Sequence, residues 1–517
     1  MNKPTQKAWD LIGEYSHFGI NLSLASLRSA NSCGIGEFFD LIPLIEWCEK
    51  LQFDVIQLLP LNDSGKDPSP YNALSSCALN PVYLSLHALP HLSEELKTKL
   101  TAFRELNNTP RVEYKKVYEE KHVWLYTYFI ETKEIWEKTQ EFLTFIKDNP
   151  WTVSYALFKI LKVELLEVNW EHWPDHLKNL SPKEEKELEA TYSLRITFHQ
   201  LLQYLLFNQL QTVKKYAGEH KVFLKGDIPI LISRDSVDVW HDRSIFNLEF
   251  SAGAPPDAYS EEGQYWGFPI FRWDILKQND YVWWRERIAY ASHFYHIYRI
   301  DHVVGFFRIW AIPLNQHSKT GKFIPEDESE WTPQGKKILE VMIESSNMLP
   351  MAEDLGIIPK EVRPCLEELG ICGTKVIRWE RNWDTDKEFI PMTNYSPLSL
   401  TTLSTHDSEP LALWWKNHPG GAQKYAELKH WDYVPDLNKE MRLTILKDAN
   451  HSSSLFHINL LQEYLAVFPE LVWPDPRDER INIPGDHLPT NWTYRIRPSL
   501  EEILAHQELF NTLKALK

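Results

Sequence analysis

The chain has 517 residues, enough for roughly three average domains or for one barrel carrying long insertions. At 43% hydrophobic residues it can bury a large core. Its formal charge of -17 disfavours nucleic acid or an anionic membrane as partner, while a neutral ligand meets no such penalty.

The N-terminal stretch MNKPTQKAWDLIGEYSHFGI has no apolar core of the kind a secretory signal needs. Nor does any run reach the ~18 apolar residues of a membrane helix. Strand-like apolar runs begin at 18–24. The segment 37–51 then places Phe38, Leu41, Ile42, Ile45 and Cys48 on one face at helical spacing. A second strand-like run is 54–59. From about 92 to 216 the alternation stops, and a long stretch rich in Lys, Glu and Trp reads as an inserted helical subdomain between strands two and three. The third run is 221–230. Residues 239–273, dense in Gly, Pro and aromatics, form a second insertion, and a loop of that length is expected to be functional. Further runs follow at 298–301, 348–352, 374–379, 400–404 and 455–461. Strand-like runs that alternate with helical patterns predict a parallel sheet. Eight of them fit an α/β fold of the (β/α)8 barrel type, a single catalytic domain whose site lies where the strands end.

The five cysteines, Cys33, Cys48, Cys77, Cys365 and Cys372, are scattered and form no CxxC pair. That pattern points to a reducing, cytoplasmic compartment and away from disulfides or a zinc site. The 21 Trp and 22 Tyr pack cores in most readings, but aromatic faces also match the C–H faces of sugar rings.

Three acidic peptides each follow an apolar run: Arg299-Ile300-Asp301-His302, Ala352-Glu353-Asp354-Leu355-Gly356 and Ser404-Thr405-His406-Asp407-Ser408. Carboxylates delivered from three strand ends to one place suit the cleavage of a glycosidic bond. Residues two apart on a strand share a face, so Arg299 should lie beside Asp301 and favour its charged form, as a nucleophile requires. A buried structural Arg–Asp pair reads the same tetrapeptide equally well. Glu353 arrives along apolar Met348–Ala352, surroundings that keep a carboxyl protonated for acid catalysis; a salt-bridged residue at the strand end is the alternative. Asp407 beside His406 could hold vicinal sugar hydroxyls. A Ser–His–Asp triad or a metal site is weakened by the lack of GxSxG and HExxH motifs. Gly34-Ile35-Gly36 lacks the third glycine of a dinucleotide loop.

These peptides resemble those of the amylomaltases, the 4-α-glucanotransferases (disproportionating enzymes) of glycoside hydrolase family 77 in the α-amylase clan. The likeness extends to Asp67-Pro68-Ser69-Pro70-Tyr71 with Asn80-Pro81-Val82-Tyr83, and to Lys225-Gly226-Asp227-Ile228-Pro229-Ile230. It continues in Gly253-Ala254-Pro255-Pro256-Asp257 with Gly263-Gln264-Tyr265-Trp266-Gly267-Phe268-Pro269, and in Arg480-Ile481-Asn482-Ile483-Pro484-Gly485 with Asn491-Trp492. The resemblance runs from about residue 17 to 500. It implies Asp301 as nucleophile, Glu353 as general acid/base and Asp407 as the acid that holds the distorted ring. It also implies that Arg299, His302 and His406 support the sugar at the cleaved bond and that Tyr71 stacks on it. Asp257 and Trp266 would line the acceptor side, and Asp227 matches a family position that a structural hydrogen bond also explains. Val303-Val304 departs from the Phe-Arg of many bacterial members and, with the stretch 226–240, is closer to plant maltose-using transglucosidases.

The implied reaction is retaining transfer of α-1,4-glucanyl or glucosyl units from a glucan donor to a glucan or glucose acceptor, through a covalent glycosyl–Asp301 intermediate. Retention sets the two carboxyls about 5–5.5 Å apart, against ~6.5–9.5 Å for inversion. No cofactor is required, no EF-hand loop is present for calcium, and neither nucleic acid nor membrane is expected as partner. An α-glucan hydrolase on the same fold and a catalytically silent glucan-binding protein are the rival readings.

Overall fold

In a computed structural model, which describes residues 3–256, 261–383, 385–486 and 488–517, each of the eight apolar runs becomes a strand. They are β1 (His17–Leu22), β2 (Val55–Leu58), β3 (Phe223–Ile228), β4 (Ile297–Ile300), β5 (Leu349–Ala352), β6 (Gly373–Val376), β7 (Ser399–Thr402) and β8 (Phe456–Leu460). The order is β5-β4-β3-β2-β1-β8-β7-β6, with every neighbouring pair parallel. Between β5 and β6 a parallel bridge, Met351–Cys372, closes the circle, with the Ala352 amide donating to the Cys372 carbonyl at 2.7 Å. The result is a (β/α)8 barrel. Its strands are largely buried on both faces because one face lines the interior and the other meets the helical layer.

The helical pattern at 37–51 forms as a short turn, Phe38–Asp40, running into the helix Leu41–Leu51. A reciprocal cap between Glu37 and Asp40 starts it, and Gln52 ends it in a left-handed conformation, φ +63°. Phe38, Leu41, Ile45 and Cys48 are buried as the spacing predicts, and so are Leu44 and Trp47, while Ile42 is only half-buried. Among the described residues, seven α-helices, from Glu94–Arg104 to Ser193–Glu219, separate β2 from β3. The last of them packs on β3 and on Leu41–Leu51, so it belongs to the barrel's outer layer.

Inside the barrel the side chains change character from bottom to top. A cluster of Val55, Ile297, Leu349, Met351, Leu400, Phe456 and Ile458 fills the lower end. Helix Gln6–Ile12 plugs it with Trp9, whose indole N–H donates to the Gly370 carbonyl at 2.9 Å. Higher up, the inward positions are Gln57, Lys225, Asp227 and Arg299. Beside the end of β4, residues Phe250–Ala254 and Gln264–Tyr265 of the 239–273 segment join Ile309–Pro313 and Lys322–Ile324 in a four-stranded antiparallel sheet. This sheet ties the β3–β4 connection to the β4–β5 connection.

Candidate active site

Asp301 and Glu353 each lie one residue beyond a strand end. The neighbouring strands β4 and β5 are paired Ile300 to Ala352, so the two acids emerge side by side. The Glu353 amide continues the ladder by donating to the Ile300 carbonyl at 3.0 Å. Arg299, two residues before Asp301, joins the pair: Nη1 lies 2.9 Å from Asp301 Oδ1, and Nη2 donates to Glu353 Oε2 at 2.7 Å. One guanidinium therefore holds both acids. His302 adopts φ +48°, a left-handed conformation uncommon for a side-chain-bearing residue. In the same turn the His302 amide donates to Glu353 Oε2 at 2.9 Å. Strain is thus stored where it orients an acid.

Register explains Asp227 as well. It sits opposite Arg299 in the β3–β4 ladder, and both its oxygens accept from Arg299 Nη1, at 2.8 and 2.7 Å. Its carboxylate is fully buried, and its remaining partner is the Tyr71 hydroxyl, which donates at 2.7 Å. Asp227 therefore orients Arg299 and Tyr71 from below and has no surface to offer a ligand. Tyr71 lies half-buried against His406 (ring centroids 5.2 Å apart) and Trp492 (5.4 Å), forming an aromatic wall.

Asp407 enters from the loop after β7. His406 Nε2 lies 3.2 Å from Asp407 Oδ2, and Asn482 Nδ2 donates to Oδ1 at 2.7 Å. The Asp407 side chain is about half open, at 45% exposure, against 25% for Asp301 and 23% for Glu353. Trp266 stands edge-on to His302, with ring centroids 4.9 Å apart, and its indole N–H is fixed by Gln264 Oε1 at 2.9 Å. Asp257 lies outside the described residues. All the other expected site residues meet in this one cluster. Asn482 and Trp492 join it too, although their motif carried no assigned role. Asn482 is 75 residues from Asp407, and no local pattern links them.

Both acids of the pair have charged neighbours, and these set the direction in which each is pushed. Burial raises Asp301 well above the usual carboxylate range; Arg299 opposes this, but Glu353 and Asp227 beside it add to the rise. Burial pushes Glu353 up too, yet Arg299 and the His302 amide outweigh it, and Glu353 falls below its ordinary value. The reason is geometric. Arg299 holds both acids, but Glu353 alone also accepts from the His302 amide. Two acids held on one guanidinium share their protons, so the pair rather than either carboxyl alone sets the titration. At Asp407 burial is likewise opposed, by His406, Asn482 and Arg299, which hold it down at about 2. It stays ionised from mildly acidic to neutral pH.

A family model described as 4-alpha-glucanotransferase matches residues 22–501. The 4-alpha-glucanotransferase of Chlamydia pneumoniae is 46% identical over 512 residues, covering 98% of this chain and 96% of that protein. The enzyme of the same name from Chlamydia caviae is also 46% identical, covering 99% and 96%. Among solved structures, the amylomaltase from Streptococcus agalactiae in complex with acarbose superposes with a TM-score of 0.83 at 24% identity, covering 97% of this chain and 98% of that one. That last likeness speaks for the fold; the sequence matches speak for descent. The chain belongs to the 4-alpha-glucanotransferase family, glycoside hydrolase family 77.

Proposed function

We propose that Asp301, Glu353 and Asp407 carry out the 4-α-glucan transfer for which this family is named. Asp301 attacks the anomeric carbon of an α-1,4-glucan. The bond to the leaving glucan breaks, and Glu353 gives its proton to the departing O4. The 4-hydroxyl of a second glucan, or of glucose, then occupies the vacated side. Glu353, now a base, takes the hydroxyl proton as the new bond forms and the ester to Asp301 breaks. Two inversions give net retention.

The observation that carries this reading is the shared grip of Arg299 on Asp301 and Glu353. Two acids bound to one guanidinium suit the close spacing of a retaining pair rather than the wide spacing that leaves an inverting enzyme room for water. Positive charge developing on the sugar beside Asp301 stabilises its ionised carboxylate. Asp407, charged throughout, accepts hydroxyl donors of the distorted ring. Tyr71 offers an aromatic face to the same ring.

Transfer prevails over hydrolysis when an acceptor excludes water, and the edge-on contact of Trp266 with His302 supports assigning the hold on that acceptor to Trp266. Incubation with maltotriose tests both points. Longer and shorter products together are expected; only shorter ones would mean a hydrolase, and none a silent binder. Trp266→Ala is expected to lower the ratio of transfer to hydrolysis several-fold in the same assay, and an unchanged ratio would remove Trp266 from the acceptor side. Among the described residues no helix is long and apolar enough to cross a membrane.

A further inference from the structure

One charged residue inside the barrel takes no part in the chemistry above. Lys225 is 2% exposed. It lies on β3 two residues before Asp227, so the two side chains share the inward face. Its Nζ donates to Gln57 Oε1 at 2.9 Å, across the β2–β3 pairing of Gln57 with Lys225. Asn21, opposite Gln57 on β1, extends this polar row, and its Oδ1 is buried without a hydrogen-bond partner. Below the row the barrel is apolar. The groups that act on the ammonium are Gln57 from β2, Asp227 from its own strand, Arg299 from β4 and the Cys372 thiol just before β6.

A buried ammonium with one neutral partner costs stability. A methionine would fill the same space without that cost. Buried groups that weaken the fold cluster where function needs them.

We propose that Lys225 is a positioning residue for the transfer reaction: it competes with Arg299 for the charge of Asp227 and so sets how strongly Arg299 draws on the Asp301–Glu353 pair. This rests on the catalytic roles proposed above. When Lys225 is charged, Asp227 is partly neutralised from below. More of the positive charge of Arg299 then acts on the pair, so that each of its protons is released at lower pH. Burial and the Arg299 charge pull the ammonium down, against Asp227 and Cys372, to about 7. The effect is therefore present below neutrality and fades above it.

The test is the pH profile of kcat/KM on maltotriose. Lys225→Met is expected to move the acid limb up by about half a unit to one unit and to leave the basic limb in place. Lys225→Arg, which stays charged, is expected to keep the acid limb and lower the basic one. Gln57→Leu, a milder change that favours the neutral amine, is expected to move the acid limb in the same direction as Lys225→Met but by less. The melting temperature of Lys225→Met should not fall below that of the wild type. A purely structural lysine would change the rate equally at all pH values, and unmoved limbs in folded Lys225→Met and Gln57→Leu would overturn the proposal. Asp301→Asn separates the two ideas. If it is inactive while the limbs stay fixed, only the role of Lys225 falls; if it is active, the underlying catalytic assignment falls.

Discussion

Asp301→Asn is expected to lose about 10⁴-fold or more of transfer activity while remaining folded, because removing the nucleophile leaves no covalent route. The amide cannot form the glycosyl ester. Folding should survive because Arg299 keeps two charged partners, the buried Asp227 at 2.7–2.8 Å and Glu353 at 2.7 Å. Asp301 itself is a quarter exposed, so no isolated charge is buried by the change. Disproportionation of maltotriose gives the activity and thermal denaturation gives the fold. Activity within tenfold of wild type would place the nucleophile elsewhere.

Glu353→Gln should divide substrates by leaving group. On maltotriose the departing sugar oxygen needs a proton, and losing the acid costs about 10²–10⁴-fold. A maltosyl fluoride releases fluoride without one, so the first step should lose far less. The second step still lacks its base when the acceptor is a sugar hydroxyl. A rapid burst of fluoride followed by slow turnover is therefore expected, read with a fluoride electrode. The amide oxygen of the introduced glutamine can still accept from Arg299 and the His302 amide, which keeps the site in shape. Equal losses on both substrates would show that Glu353 does not protonate the leaving group.

The barrel was legible because its strands are short, doubly buried and closely apolar, so 18–24 or 455–461 read as strands without any knowledge of their neighbours. The three acids were legible for a related reason: each follows such a run closely, and strand ends in this fold face one way. What could not be read was pairing across strands. That Asp227 lies beside Arg299, and that Arg299 reaches Glu353 as well as Asp301, depends on the β3–β4–β5 register. Local sequence made Glu353 the apolar-shielded acid, whereas the register gave it the guanidinium and an amide. Asn482 on Asp407 is likewise a contact between distant loops. Lys225 was visible in its motif, but its burial became evident only once β2 and β3 were paired.

The most direct measurement uses Glu353→Gln treated with maltosyl fluoride, quenched in acid, digested and examined by mass spectrometry. Glycosylation at Asp301 should proceed and its reversal stall for want of a base, so the peptide containing Asp301 should carry one maltosyl group. A label on a different carboxylate, or an unlabelled protein that releases maltose of inverted configuration, would contradict the assignment of Asp301 as the group that bonds to sugar.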